Sequence, residues 1–222
     1  AGVGHLDEGE PEVTIRRVRI PEALVAPEVG QTGVDAHPRA GGSMQDRVTV
    51  QLYQIFTRFG FATLRFNFRG VGKSQGSFDS GIGELSDAAS ALDWVQSIHP
   101  EAQQTWVAGY SFGALIGMQL LMRRPEIEGF ISIAPPANLH DFSFLAPCPS
   151  SGLIIHGDAD KVAPMKDVQS LVDKLHTQKG ITITHEQIEG ADHFFKDDEA
   201  HMKPMINTVS SYVKRRLGEA SR

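Results

Sequence analysis

Of the side chains in this sequence that could do chemistry, one serine stands in the setting that chemistry needs. Ser111 lies in Gly109-Tyr110-Ser111-Phe112-Gly113, with the short, apolar, β-prone Trp106-Val107-Ala108 before it and Ala114, Leu115, Met118 and Leu121 at helical spacing after it. This is the G-x-S-x-G pattern of a sharp strand-to-helix turn, in which glycine is expected at 109 and 113 because the two backbones approach too closely for a Cβ. The turn pushes Oγ of Ser111 outward and aims the first free N–H groups of the helix at whatever the serine attacks, with the helix dipole favouring an anion there. The chemistry implied is attack on an acyl carbon, and the N–H of Phe112 is the first expected oxyanion donor.

A hydroxyl is a weak nucleophile, so Ser111 needs a base, and the base needs a group to orient it. Nine histidines are available, most of them expected at surface or packing positions. His193 differs because Glu189-Gly190-Ala191-Asp192-His193-Phe194-Phe195 follows the last expected strand, on a loop at its carboxyl end. For the third member the candidates are Asp158, Asp160 and Asp192. Asp160, deeper in the turn that follows the apolar strand 152–156, is favoured to accept Nδ1–H of His193 and leave Nε2 facing Ser111. Asp158 is expected to cap or brace that turn, and Asp192 adjoins His193 too closely in sequence for a well-formed side-chain contact. A second oxyanion donor is expected from His37-Pro38-Arg39-Ala40-Gly41-Gly42, through the N–H of His37; the competing reading of that segment is a plain Gly/Pro loop.

The elements that must position these groups follow from hydrophobic periodicity. Val13–Ile20 alternates as an antiparallel strand with one wet face. Pro21, Pro27, Gly30, Gly33 and Pro38 interrupt the next stretch and leave only Ala23–Ala26 as a candidate short strand. Helices are expected over 44–59, 85–98, from Ser111 to about 124, around Val168, Leu171, Val172 and Leu175, and over 200–217; strands over 61–68, 106–108, 129–134, 152–156 and 181–188. This alternation predicts a mostly parallel sheet with helices on both faces and function on loops at the carboxyl ends of the strands. The chain is read as a single domain over 1–222, with 1–11 frayed and 21–36 unassigned. Gly70-Val71-Gly72-Lys73-Ser74, inside a glycine-rich loop over 70–83, imitates the end of a phosphate-binding loop. That pattern needs glycine at 67, where Asn67 stands, and a helix at once, where more glycines follow. Arg69 and Lys73 are expected to brace the loop instead.

Composition narrows the partners. A hydrophobic share of 41% with 22% charged residues is that of a water-soluble globular chain, and a formal net charge of −6 argues against nucleic acid or an anionic membrane as partner. No apolar run approaches the roughly 18 residues of a membrane span, and the start of the sequence lacks a signal-peptide pattern. With Cys148 as the only cysteine, no internal disulfide can form and a reducing, cytoplasmic setting is expected; the thiol itself reads as a small buried group.

With Ser111, Asp160 and His193 in that chain order, the sequence resembles the α/β-hydrolase superfamily, and within it the small, lid-poor bacterial hydrolases and esterases related to dienelactone hydrolases. The likeness is carried by HPRAGGSM, FATLRFNFRGVGKSQG, GYSFGALIGMQLL, HGDADKVAP and GADHFF, over about His37 to Leu217. Asp35-Ala36 stands where such proteins carry a first His-Pro. The resemblance implies a Ser111–His193–Asp160 triad, no cofactor, no metal, and cleavage of a small carboxylic ester. Only about fifteen residues separate Pro136 from Gly152, where larger relatives insert lids, so an open site suited to short acyl groups is expected, with Phe142, Phe144, Phe194 and Phe195 as candidate walls. Thioester, amide and lactone hydrolysis remain open on the same triad, as does a binding module that barely turns over.

Overall fold

The structure, a computed structural model, describes residues 22–26, 42–102 and 104–220. Eleven elements matter: β1 (Glu22–Ala26), α1 (Arg47–Arg58), β2 (Ala62–Arg65), α2 (Ile82–Ile98), β3 (Thr105–Tyr110), α3 (Phe112–Leu121), β4 (Ile127–Ile133), β5 (Gly152–Gly157), α4 (Met165–His176), β6 (Ile183–Ile188) and α5 (Lys203–Ala220). The strands form one sheet in the order β2-β1-β3-β4-β5-β6, and every described pair is parallel. The strand expected over 13–20 lies outside the described residues.

Side-chain alternation sorts the core into two layers. Val107, Phe130 and Ile154 point to the side covered by α2, α3 and α4. Trp106, Ala108, Tyr110, Leu153 and Ile155 point to the side covered by α1 and α5. Every residue of β3 and β5 is buried, as both-faced covering of a parallel sheet requires. The expected architecture is therefore present.

Several boundaries differ from the sequence reading, each for a local polar reason. α1 starts at Arg47 and not at 44, because Asp46 accepts the N–H of Val48 (2.9 Å) while the Met44 N–H is drawn to Asn67 Oδ1 (2.7 Å). α2 starts at Ile82, three residues early: buried Glu84 reaches back to accept the N–H groups of Asp79 and Gly81, each at 2.8 Å. β2 ends at Arg65 and not at 68, since Asn67 and Phe68 turn their carbonyls to Ser74 Oγ (3.0 Å) and the Val71 N–H (3.1 Å). α5 follows one wide turn at Asp198–Met202, capped by Asp197, which accepts from Glu199 and Ala200. The interrupted stretch after Pro21 supplies an inner strand, with β1 paired to both β2 and β3.

The glycine-rich loop closes on itself. Gly70 N–H donates to Gln75 O and Ser74 N–H to Val71 O, and the next helix begins only at Ile82. No phosphate-binding turn is formed there. Arg69 does brace it, holding Asp87 of α2 through Nη2 (2.8 Å) and Nε (3.1 Å), and its guanidinium fills the space that a Cβ at Gly83 would need.

Candidate active site

β3 delivers Ser111 to the carboxyl edge at the centre of the sheet. The residue adopts φ 53° and ψ −118°, a conformation that costs a β-carbon residue on the order of 1–3 kcal/mol and persists only where neighbours enforce it. They do so on both sides: the Ser111 N–H donates to Ile133 O of β4 (2.8 Å), and its carbonyl accepts from Ala114 (2.9 Å) to start α3. Gly109 is required as expected, since a Cβ there would lie 2.2 Å from the carbonyl oxygen of Gly113. Phe112 supplies the first N–H of α3, which has no carbonyl one turn back in its own helix.

Asp160 and His193 meet Ser111 from the carboxyl-edge loops after β5 and β6. His193 Nε2 lies 2.9 Å from Ser111 Oγ, and Nδ1 lies 2.7 Å from Asp160 Oδ2. A carboxylate at Nδ1 fixes the proton there and leaves the Nε2 lone pair toward the hydroxyl. The other oxygen of Asp160 accepts the N–H groups of Val162 (2.7 Å) and Ala163 (2.8 Å). All three side chains are buried, so their interactions are poorly screened.

The remaining carboxylates fall into structural places. Asp158 accepts the Gly190 N–H (2.7 Å), tying the turn after β5 to the loop after β6. Asp192 turns away from the imidazole beside it, accepting from the Phe194 N–H and pairing with Lys196 (3.1 Å). Of the four phenylalanines, Phe194 stands against the triad, its exposed ring edge-on to His193 at 5.4 Å, and Phe144 lines a groove farther along α3. Phe195 is buried in the sheet core, and Phe142 is buried against Phe144. His37 lies outside the described residues. Cys148 is buried, which raises its thiol pKa.

Three features went unread in the sequence. Tyr110 Oη, on the side of the sheet covered by α1 and α5, donates to the carbonyl of His193 (2.7 Å) and anchors the loop that carries the base. Gly157 lets the two loops meet, because a Cβ there would sit 2.1 Å from Ala191 O. Its place directly before Asp158 was the available signal. His156, fully buried, contacts His185 of β6 (Nδ1 to Nε2, 3.1 Å) with the rings stacked at 5.1 Å. Burial, and then repulsion from His185, pushes the His156 pKa down to about 4, against a smaller upward pull from Asp160 and Asp158. Among the described residues no three His, Cys, Asp or Glu side chains are grouped to hold a metal ion, and no helix is long and apolar enough to cross a membrane.

A parallel sheet flanked by helices, with the serine elbow after its central strand, defines an α/β hydrolase. Residues 41–151 match the family described as serine aminopeptidase, S33, and the chain belongs to that family. The uncharacterized protein RP471 of Rickettsia prowazekii is 49% identical over 175 residues, spanning 77% of this chain and 74% of its own. ATU1826 of Agrobacterium tumefaciens, an α/β hydrolase of unknown function, is 58% identical with a TM-score of 0.84, covering 91% of this chain and 88% of its own. XC6422 of Xanthomonas campestris, described as an α/β serine hydrolase without lid, is 31% identical with a TM-score of 0.73, over 90% of this chain and 84% of its own. The protein is thus a hydrolase of this superfamily.

Proposed function

We propose that the protein is a serine hydrolase that cleaves small carboxylic esters through an acyl-enzyme. The observation that carries this is the continuous relay from Asp160 through His193 to Ser111, at 2.7 and 2.9 Å. Ser111 Oγ attacks the ester carbonyl and gives its proton to His193 Nε2, while Asp160 stabilises the imidazolium. The carbonyl oxygen becomes an anion facing the Phe112 N–H, with a second donor from the loop that bears His37. Collapse expels the alcohol, which takes the proton from His193. Water then repeats the sequence on the acyl-enzyme, donating a proton to His193, and the acid leaves as Ser111 recovers it.

The test is Ser111→Ala assayed on p-nitrophenyl butyrate, together with labelling of the wild type by a fluorophosphonate. Activity is expected to fall by about a thousandfold or more, and only the wild type should be labelled, at Ser111. Hydrolysis that survives the substitution would sink the mechanism. Failure of the wild type to label would favour a binding module.

A further inference from the structure

A groove of about 420 Å³ runs beside the site, between the start of α2, the outer face of α3 and the segment 140–144 that follows β4. Its volume falls within the range of small-ligand pockets. The apolar walls are Ile82, Leu85, Leu115, Met122 and Phe144. Ile82 is 79% exposed, a large aliphatic side chain left facing water at the groove because the Glu84 cap starts α2 three residues early. One buried ring separates the groove from the reaction centre: Leu115 is one helical turn past Ser111, and Phe112, which follows the serine, contacts His140, a groove residue, at 6.2 Å and Phe78, which leads into Ser80–Ile82, at 5.6 Å. Burial lowers the His140 pKa, and the charged members of the lining are Asp141 beside it and Arg123 at the end of α3. From Leu115 to Arg123 along α3 is roughly 12 Å at 1.5 Å per residue, the extended length of about ten carbon–carbon bonds.

We infer that this groove holds the linear hydrocarbon chain of the substrate, so that the preferred ester is a single-chain amphiphile with an acyl group of medium length. This rests on the ester-hydrolase reading and deepens it, setting a longer acyl chain in place of the short one expected from the sequence. The short connection between β4 and β5, too small to form a lid, serves instead as one wall. The chain runs from the carbonyl at Ser111 past Phe112 and His140 onto Leu115 and Met122, with its far end near Arg123. Each methylene transferred from water to such a wall favours binding by about fourfold, so a decanoyl chain gains over a butyryl one.

Two measurements test the groove separately from the chemistry. In the first, Ser111→Ala protein is titrated with a fluorescent dansyl-undecanoic acid, alone and combined with Gln119→Trp, which fills the groove from a half-exposed position on α3. Binding that weakens at least tenfold with Gln119→Trp is expected; absence of binding, or equal binding by both proteins, overturns the inference. In the second, kcat/KM is compared for p-nitrophenyl decanoate and butyrate. The wild-type ratio is expected to exceed about ten and to fall toward one in Gln119→Trp, with circular dichroism confirming the fold. A ratio untouched by the substitution overturns the inference. Groove-dependent binding of the acid without hydrolysis of any ester supports the groove and discards the ester reading alone.

Discussion

Asp160 divides its two oxygens between two tasks. Oδ2 faces the imidazole of His193, and Oδ1 accepts two backbone N–H groups that shape its own turn. The two tasks separate by substitution. Asp160→Asn keeps an acceptor for the backbone and removes the charge that fixes the His193 tautomer, so kcat/KM should fall by about a thousandfold or more while the melting temperature moves little. Asp160→Ala should lose the same activity and also about 1–3 kcal/mol of stability, as one buried and one partly buried N–H group go unpaired. Equal melting temperatures for the two variants would show that the turn does not depend on Oδ1. At this scale the sequence was informative, because Ser111, Asp160 and His193 each sit within a short motif beside a strand end. Tyr110 could not be read the same way: its hydroxyl reaches a carbonyl 83 residues away, and no local pattern encodes such a contact.

The elements bring these groups together through backbone approaches that only glycine permits. At Gly157, the last residue of β5, an added Cβ would press on the Ala191 carbonyl, which cannot swing aside as a side chain would. Gly157→Ala should therefore force the Asp160 turn away from the His193 loop, costing about 3 kcal/mol and most of the activity. Gly60, which ends α1 at φ 82° with nothing within 4 Å of its added Cβ, makes the contrasting case. Gly60→Ala should cost about 1 kcal/mol through backbone conformation alone and leave ester hydrolysis intact. Thermal melts and a short-chain ester assay on both variants check the pair, and comparable activity loss in the two would contradict the assignment. Strand and helix order was legible from periodicity, whereas the ends were set by polar groups that periodicity does not report. Glu84 buried as a cap for α2 is the clearest instance, since a glutamate in a glycine-rich stretch reads as surface. The place of β1 inside the sheet was equally hidden, because neighbouring prolines mask a five-residue strand whose pairing is with segments far along the chain.

Across the whole molecule, the side of the sheet beneath α4 carries a titratable pair that the proposed chemistry does not use. His156 and His185 stack between β5 and β6, with His176 also acting on His185, whose pKa is lowered chiefly by burial. His156 falls from 6.5 to about 4 on folding. A histidine with a depressed folded pKa binds fewer protons folded than unfolded, so stability rises with pH between about 4 and 6.5 and is lost as the solution is acidified through that window. For a shift of this size the loss is on the order of 3 kcal/mol, or roughly 5–10 °C in melting temperature for a chain of this length. His156→Leu keeps an apolar group of similar bulk and cannot be protonated, so its melting temperature should fall less steeply between pH 7 and pH 4.5 than that of the wild type. Because the loop after β5 carries Asp160 four residues beyond His156, wild-type ester hydrolysis at elevated temperature should fail at a higher pH than in the variant. Melting curves of both proteins across that range, recorded alongside residual activity, decide it: parallel pH slopes would mean that other groups drive the acid transition.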